Sequence, residues 1–515
     1  MLNLNGAHVL EPFLRSVAET VFRDPIEIIL IDHGSTDDSR AVVEAWRDRL
    51  PLWPLYRGAN HSFSASCNLG AALARGRHLV MVNNDILFTG DCLAAMRDLL
   101  DADPEVGLVG LRLLEPRYRG EGRWEPVVHH TGVRFEAPKP QAKGEPRMYH
   151  PVEVEEGGEE GAAIEPGVTA ALSMMRKADF RALGGFDESY VYGYEDVDFA
   201  LRMRGRLGKL AVCRLGDSAI HNRSATRESK LVVGAPEAAP AAQARPARAN
   251  LDLFVRRFSR HLPRLILRQL VAGGEAWRAA PLRVTFVVGD PQRGPDTAAA
   301  RALGEALRRF GWEPMLVGED GHDLAVTDVL VSLRPGYDLR RIAEAAPGML
   351  TVAWDWNGKG GWDDRAEAYH LAFDLPADPA RAAAAARAAL ASFLNGSGAR
   401  VAIKAQAENE PQARALAQAL ARRGRHVRID GPRHWQCGLS ACDELVVAMA
   451  GVKAYVPFQG AVNALCLAPG SELPPAEALE AFDHVFAPAD PDADAQALVD
   501  LHETLRREFL GRLAD

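Results

Sequence analysis

The sequence is poor in the features that mark membrane-spanning, disulfide-bonded and nucleic-acid-binding proteins. It has no run of about 18 apolar residues, so it predicts no transmembrane helix. The six cysteines are scattered without a Cys-x-x-Cys pair, which argues against a disulfide framework or a zinc site and favours a reduced, cytosolic protein. The formal net charge of −9 argues against nucleic acid as a partner, because phosphate binding needs a basic face.

The first residues also lack the pattern of a secretory leader. Residues 1–6 hold neither a basic segment nor an apolar core, so we expect no signal peptide and a cytoplasmic location. The composition, 47% hydrophobic and 25% charged, is that of an ordinary globular protein. A length of 515 residues predicts about two to four domains.

Residues 78–86 hold the most informative stretch of the first half. Four consecutive apolar residues, 79–82, predict a buried strand that runs directly into Asn83, Asn84 and Asp85. Polar side chains at the carboxyl end of a buried parallel strand lie where open α/β sheets bind ligands. A carboxylate there can hold a divalent cation, and the cation can hold a diphosphate. The alternative is an Asn-Asn-Asp turn that only caps the next helix.

The surrounding sequence alternates between strands and helices. A second buried strand, residues 26–31, ends at Asp32, whose carboxylate either contacts a nucleotide or caps the helix that follows. The alternation continues to residue 111 and predicts a mostly parallel sheet with right-handed crossovers. Residues 117–165 are rich in Gly, Pro and Glu and predict a solvated loop or hairpin.

A cluster of acidic residues begins a predicted helix near residue 195. Glu195, Asp196 and Asp198 crowd its first turn, where acids also serve as helix caps. Three acids after an aromatic, Gly-rich loop exceed what capping needs, and a carboxylate near a cationic cofactor can act as general base for a sugar hydroxyl. His221 follows a short strand, where a structural role and a metal contact are both open.

Together these motifs resemble one known family over residues 2–225. The similarity is to the inverting glycosyltransferases of family 2, which have the GT-A fold, and within them to the rhamnosyltransferase-like branch that builds bacterial surface polysaccharides. Each motif is weak alone, but their order and spacing match the family. The motifs are residues 3–6, 31–37, Asn60 with 68–70, 83–85, 184–188 and 194–199.

The resemblance implies a donor site for a nucleotide-diphosphate sugar. Asp32 would contact the base, and Asn84 would lie near the ribose or the phosphates. Asp85 and His221 would hold Mg²⁺ or Mn²⁺ on the diphosphate. The other side chains implied to bind the donor are Asn3, Asn5 and Asn68.

The resemblance also implies the chemistry. Asp196, with Glu195 as the alternate, would take the proton from an acceptor hydroxyl, which then attacks the anomeric carbon and inverts it. The sequence departs from the family at three points: the first strand is short, His33 stands where Asn is usual, and the metal motif has a single carboxylate.

The second half begins with a predicted linker and a basic helix, residues 231–280. Residues 234–249 are rich in Ala and Pro, and residues 251–271 predict a helix that bends or breaks at Pro263. This helix either lies on an anionic membrane or packs between domains. Its basic residues are Arg256, Arg257, Arg260, Arg264 and Arg268.

An internal repeat fills the rest and predicts two Rossmann-like α/β domains, 281–377 and 378–515, after a GT-A domain at 1–230. Both repeats resemble the N-terminal half of GT-B glycosyltransferases and lack a clear phosphate-binding glycine set. We expect them to serve acceptor binding, docking or homodimer formation. Trp354, Trp356 and Trp362 form either a sugar-binding patch or a buried aromatic cluster.

The sequence therefore predicts an α/β protein, and the resemblance implies an enzyme: a hexosyltransferase that moves a sugar from a nucleotide-diphosphate donor to a surface polysaccharide or a lipid-linked glycan. The alternative is a non-catalytic carbohydrate-binding or scaffolding protein with a degenerate transferase domain.

Overall fold

The computed structural model describes most of the chain, in segments. The described residues are 1–20, 22–59, 61–118, 124–136, 149–158, 160–190, 193–222, 249–255, 257–258, 262–275, 277–320, 326–337, 349–362, 369–395, 400–430, 445–449, 462–467, 479 and 482–512. Two compact units divide it: the described residues of Met1–Phe135, His150–Val255 and Phe509–Asp515, and those of Glu136–Tyr149 and Arg256–Glu508.

The first unit mixes helices with two principal sheets. Its helices are α1 (Ala7–Glu19), α2 (Ser39–Trp46), α3 (Phe63–Leu73), α4 (Cys92–Ala102), α5 (Lys177–Ala182) and α6 (Glu195–Leu207). Its strands are β1 (Leu2–Asn3), β2 (Ile28–Asp32), β3 (Leu52–Tyr56), β4 (His78–Val82), β5 (Ile86–Phe88), β6 (Val106–Tyr118), β7 (Trp124–His130), β8 (Val133–Glu136), β9 (His150–Glu153), β10 (Ala162–Glu165), β11 (Leu172–Arg176) and β12 (Leu210–His221).

The prediction of a mostly parallel sheet is correct for one sheet of this unit and wrong for the other. Strands β1, β2 and β3 form a parallel sheet. The larger sheet has the order β10-β12-β6-β11-β4 and is largely antiparallel. Helix α4 carries the chain from β4 to β6 in the predicted parallel sense, but β11, which comes much later, inserts between them in the opposite direction. Local periodicity does not reveal which distant strand enters a sheet.

The region predicted as a loop or hairpin contains a hairpin. Strand β6 extends to Tyr118 and pairs antiparallel with β7, which ends at His130. Strands β8 and β9 form a small separate sheet. The hairpin delivers two buried histidines, His129 and His130, to the interior of the unit.

The second unit holds two five-stranded sheets. The first sheet contains β13 (Arg283–Val288), β14 (Glu313–Gly318), β15 (Val329–Ser332), β16 (Leu350–Trp354) and β17 (Leu371–Phe373). The second contains β18 (Arg400–Lys404), β19 (His426–Asp430), β20 (Leu445–Met449), β21 (Val462–Cys466) and β22 (His484–Phe486). The helices are α7 (Leu262–Ala272), α8 (Pro295–Leu307), α9 (Pro379–Asn395), α10 (Glu410–Arg422) and α11 (Pro491–Arg512).

Both sheets are parallel and have the same strand order. The orders are β14-β13-β15-β16-β17 and β19-β18-β20-β21-β22, the doubly wound order of Rossmann-like units. The strands fall where the predicted repeat placed them. The domain boundaries at 230, 280 and 377 remain predictions.

Helix α7 is the described part of the predicted basic helix. It begins at Leu262 with Pro263 in its first turn, where proline is tolerated. Its apolar side is buried through Leu262, Ile266 and Val271, so this side packs within the second unit. The structure therefore favours the packing alternative over membrane contact for these residues.

The tryptophan cluster is also mainly buried. Trp354 and Trp362 are 8% and 7% exposed, which favours the aromatic-core interpretation. Several predicted features lie outside the described residues: Asn60, most of the linker 234–249, Arg256 and Arg260. No helix among the described residues is long and apolar enough to cross a bilayer.

Candidate active site

Three predicted donor-site residues meet in one buried polar network. The amide of Asn84 donates to Asn3 Oδ1 at 2.8 Å, and Asn3 Nδ2 donates to Asp32 Oδ2 at 2.9 Å. All three side chains are buried. The carboxyl ends of β1, β2 and β4 are thus joined at one point, as expected for a ligand-binding sheet edge.

The carboxylate of Asp32 is already fully used by the protein. Its Oδ1 accepts from the Gly34 and Ser35 amides at 3.1 and 2.8 Å, and its Oδ2 accepts from Asn3 and from Ser35 Oγ at 2.6 Å. A carboxylate offers about four lone-pair positions. Contact between Asp32 and a base would therefore require one of these hydrogen bonds to open. In this structure Asp32 organises the loop after β2.

Asn5 contacts the same loop after β2. Its backbone N–H donates to Ser35 Oγ at 2.8 Å, and its side-chain Oδ1 accepts from the Thr36 backbone N–H at 2.7 Å. Among the described non-glycine residues only Asn5 and Tyr194 have positive φ, +48° and +73°. Such backbone strain gathers at functional sites, and both residues lie in loops that the sequence assigned to the active site.

Gly6 lies against the network with no room for a side chain. A Cβ at this position would come within 2.5 Å of Asn3 Oδ1 and within 2.5 Å of Asn84 Nδ2. Gly6→Ala should therefore break the Asn84–Asn3 hydrogen bond and lower the free energy of unfolding by about 1–3 kcal/mol, the cost of a buried unsatisfied group. Denaturant unfolding measures this. Gly90→Ala is the control, since nothing lies within 4 Å of a Cβ there; equal effects of the two variants would contradict the prediction.

Asp85 and His221, the predicted metal pair, lie together. Asp85 follows β4, and its carbonyl accepts from the Asn222 N–H at 2.9 Å, which holds the end of β12 beside it. Asp85 Oδ1 is 3.3 Å from His221 Nε2. On the far side of the ring, His221 Nδ1 is 3.2 Å from His129 Nε2. All three side chains are buried.

The pair suits a divalent cation. Neighbouring ligands around an octahedral Mg²⁺ with bonds of about 2.0–2.1 Å stand about 3 Å apart, close to the observed separation. When His221 Nδ1 donates to His129, the Nε2 lone pair faces Asp85, which is the usual arrangement of a metal-binding histidine. The described residues contain no cluster of three or more His, Cys, Asp or Glu side chains around a common metal position. The pair therefore fits a cation that takes its other ligands from substrate and water.

Asp196 lies at the same sheet edge as Asp85. The Asn83 N–H donates to the Ala171 carbonyl at 2.9 Å, and the next amide along, Ala170 N–H, donates to Asp196 Oδ2 at 3.0 Å. Asp85 is two residues from Asn83. The two carboxylates, which are far apart in the sequence, thus both lie near the point where β4 meets β11.

Glu195 is the more buried member of the acidic pair. It is 5% exposed, and its Oε2 has no hydrogen-bond partner among the described residues. Burial and the neighbouring Asp196 raise the pKa of Glu195 to about 8. Burial also raises the pKa of Asp196, an effect that the Ala170 N–H opposes. Raised values suit groups that exchange protons near neutral pH.

The raised pKa of Glu195 has a consequence for stability. The unfolded chain releases this proton near pH 4.5, whereas the folded protein holds it to about pH 8. Stability should therefore fall as pH rises through that window, because the unfolded state then binds fewer protons. Glu195→Gln should flatten this part of the pH profile, which thermal unfolding across the window measures. A profile with the slope of the parent would contradict the assignment.

Asp198, the third acid of the cluster, has a structural role. Its Oδ1 accepts from Arg202 Nε at 2.5 Å, and both side chains are nearly fully buried. Arg202 also donates to the carbonyls of Leu183 and Gly185 at 2.8 and 2.9 Å. This pair fixes the start of α6, and with it Asp196, against the turn before it.

Asn68 lies apart from the other predicted donor-site residues. Its Nδ2 donates to the Phe186 carbonyl at 2.8 Å, and its Oδ1 accepts from the Phe186 N–H at 2.8 Å. Both polar atoms therefore hold the turn at residues 184–188, close to α6.

His129 contacts His221 but was not among the predicted site residues. The only sequence signal for it is its position in the irregular region 117–165.

The N-terminal part of the chain is similar to known proteins. Residues 1–158 match the family model Glycosyl transferase family 2. The O-antigen biosynthesis protein RfbC of Myxococcus xanthus is 30% identical over 216 residues, which cover 41% of this chain and 16% of that protein. The chain therefore spans about a sixth of that curated relative.

Several solved structures resemble part of the chain. TarS residues 1–349 from S. aureus match 44% of this chain and 60% of theirs, at 15% identity and a TM-score of 0.31. The mannosyltransferase PcManGT of Pyrobaculum calidifontis, in complex with GDP-Man and Mn²⁺, matches 42% of this chain and 54% of its own, at 18% identity and a TM-score of 0.30. The first unit has the mixed α/β architecture that the sequence predicts.

Proposed function

We propose that the protein is a metal-dependent, inverting glycosyltransferase. It moves a sugar from a nucleotide-diphosphate donor to a surface polysaccharide or its lipid-linked precursor. One observation carries the proposal: the Asp85–His221 pair and the Asp196 carboxylate lie at the sheet edge where β4 meets β11, in a chain whose residues 1–158 match the family 2 model.

The Asp85–His221 pair and Asp196 have different chemical roles in this proposal. Asp85 and His221 would hold Mg²⁺ or Mn²⁺, which when bound supplies positive charge to the departing diphosphate. Asp196 accepts the proton of the acceptor hydroxyl, whose oxygen attacks the anomeric carbon from the face opposite the leaving group. A single displacement of this kind inverts the anomeric configuration. Glu195, protonated at neutral pH because of burial, is the weaker candidate for the base.

The name of one relative supports the proposed class of acceptor. RfbC is described as an O-antigen biosynthesis protein, which supports a bacterial surface glycan as the product. The predicted donor-site residues Asn3, Asp32 and Asn84 are joined to one another by hydrogen bonds and form no shape selective for one nucleobase.

The second unit serves docking or acceptor binding in this proposal. Parallel sheets of this order bind phosphates at the helix that follows the first strand. At the start of α8 this position is taken by Asp296, whose Oδ2 accepts from the Gly289 N–H at 2.8 Å. A carboxylate there repels a phosphate, so the first repeat supports a non-catalytic role.

A donor screen tests the function. The chain is incubated with a panel of nucleotide-diphosphate sugars and Mn²⁺, and mass spectrometry follows release of the nucleoside diphosphate and sugar transfer to lipid-linked glycans. The proposal expects turnover of at least one donor. The absence of turnover with every donor and acceptor pair would count against it.

The Asp85→Asn variant tests the metal assignment. Loss of the carboxylate charge should weaken Mn²⁺-dependent nucleotide binding by about 10–100-fold, the usual effect of disturbing a metal site, and leave binding in a chelator unchanged. Isothermal titration calorimetry measures both affinities. Asp48→Asn, at an exposed position on the same unit, controls for charge. Equal affinities of parent and Asp85→Asn in Mn²⁺ would contradict the assignment.

A further inference from the structure

Residues 249–255 come at the end of the Ala/Pro-rich stretch but belong to the first compact unit. They are helical, and Asn250 and Phe254 lie one turn apart on the same side. Both side chains are buried, 2% and 0% exposed, whereas Asp252 on the opposite side is exposed. These residues therefore pack against the unit through one face. We call them the 249–255 segment.

The buried face of the 249–255 segment contacts the loop that precedes α6. Asn250 Nδ2 donates to the Gly193 carbonyl at 3.3 Å. The centroid of the Phe254 ring is 5.8 Å from that of the Tyr194 ring. Gly193 and Tyr194 directly precede the acidic residues at the start of α6. The segment therefore contacts the backbone and the side chain that lead into the acidic cluster.

Phe254 also contacts a strand of the same unit. Its ring stacks on that of Phe135 in β8, with the centroids 6.3 Å apart and the ring planes 19° apart. Phe135 is fully buried, and the Val133 N–H of the same strand donates to the Gly167 carbonyl at 2.9 Å. A row of three aromatic rings thus connects β8 to the residue before α6.

The backbone of Tyr194 has a conformation that needs support. Its φ of +73° lies in the left-handed region, which bulky side chains rarely adopt. Its carbonyl accepts from the Asp198 N–H at 2.9 Å, the first hydrogen bond of α6. Rotation of Tyr194 to a negative φ would reorient this residue and open that bond. Such a strained residue persists only where its surroundings impose the conformation.

We propose that Asn250 and Phe254 are positioning residues that hold Tyr194 in its left-handed conformation and thereby fix the first turn of α6. Asn250 fixes the peptide group before Tyr194, and Phe254 fixes the ring. The consequence for catalysis rests on the proposed function. The same turn presents Asp196, whose carboxylate accepts from the Ala170 N–H, so release of the turn would move the general base away from the sheet edge.

Amide hydrogen exchange of the full-length protein tests the proposal. Phe254→Ala should make the Asp198 amide exchange at least about tenfold faster, and Asn250→Ala at least about threefold faster. The Val109 amide of β6, in the core of the same unit, reports global opening and should stay within about twofold of the parent. Asp252→Ala, on the exposed side of the segment, is the matched control and should change neither amide.

Variants of Tyr194 separate support of a strained residue from ordinary packing. Glycine adopts the left-handed region freely, whereas alanine keeps the Cβ that disfavours it. Tyr194→Ala should therefore expose the Asp198 amide as Phe254→Ala does, while Tyr194→Gly should stay within about threefold of the parent. In the Tyr194→Gly background, Phe254→Ala should change Asp198 exchange by less than about twofold.

Three exchange results would overturn the proposal. They are unchanged Asp198 exchange in Phe254→Ala, equal acceleration at Val109, and an equal effect of Phe254→Ala with tyrosine or glycine at position 194. The last two would show that Phe254 only stabilises the unit as a whole.

The transfer rate tests the consequence for catalysis. Phe254→Ala should lower the rate of sugar transfer at least about tenfold and leave the affinity for the nucleoside diphosphate within about twofold of the parent. Equal losses of rate and affinity would contradict a role in positioning Asp196. If the parent transfers no sugar, the proposed function fails, and the exchange results still decide whether the 249–255 segment holds Tyr194.

Discussion

Asp196→Asn should lower the rate of sugar transfer by on the order of 10²–10⁴-fold, the contribution of a positioned general base. The carboxylate lies where the structure can hold it still, because the Ala170 N–H donates to it at 3.0 Å. Asparagine has the same shape and keeps an oxygen for that hydrogen bond, but it cannot accept a proton at neutral pH. The loss should therefore fall on the chemical step.

Nucleotide affinity separates this role from a structural one. The Asp196→Asn variant should bind the nucleoside diphosphate within about twofold of the parent, since its carboxylate accepts hydrogen bonds from the Ala170 and Val197 N–H groups and not from the Asp85–His221 pair. Single-turnover kinetics and calorimetry on the same preparation measure both quantities. Equal losses of rate and affinity would show that Asp196 positions the site and does not act as the base.

Asp198→Ala should lower the free energy of unfolding of the first unit by about 3–5 kcal/mol, because Arg202 would be left charged and buried without a carboxylate. The Arg202 guanidinium retains its two carbonyl partners, which do not neutralise it. Native-state hydrogen exchange of the α6 amides measures the loss within this unit. The double variant Asp198→Ala with Arg202→Met is the control, since it removes both charges and should recover much of the loss. A single variant within about 1 kcal/mol of the parent would contradict this account.

The Asp196→Asn and Asp198→Ala variants distinguish the roles of acidic residues that the sequence alone does not tell apart. Glu195, Asp196 and Asp198 stand within four positions and all fit both helix capping and catalysis. Burial and partners divide them: Asp198 is neutralised by Arg202, Glu195 lacks a partner at Oε2, and Asp196 contacts the sheet edge. Asp198 and Arg202 lie one turn apart on the same side of α6, and only the folded chain shows that this side is buried against the turn at residues 183–185.

Local patterns predicted the parts of the fold that local chemistry decides. The apolar run of β4 and the acids at the start of α6 stand where expected, and the repeated strands of the second unit form two sheets of one order. Asp85 and His221 meet because β5, which follows Asp85 directly, pairs with the end of β12. The assignment of their role rests on the resemblance and stays a prediction.

The sequence did not predict which distant strands and loops come into contact. Nothing local to residues 172–176 shows that β11 enters between β4 and β6 and reverses the sheet. The four hydrogen bonds of Asp32 also depend on how the loop after β2 folds back. Asn68 falls outside the polar network because α3 carries it to the turn at residues 184–188. Each outcome depends on partners far away in the chain.

Calorimetric titration with a panel of nucleoside diphosphates, with Mn²⁺ and then with a chelator, tests the central claim most directly. The account predicts that at least one nucleotide binds more tightly than about 1 mM with Mn²⁺ and at least about tenfold more weakly without it. Binding of no nucleotide under either condition would contradict the claim and favour a carbohydrate-binding or scaffolding protein.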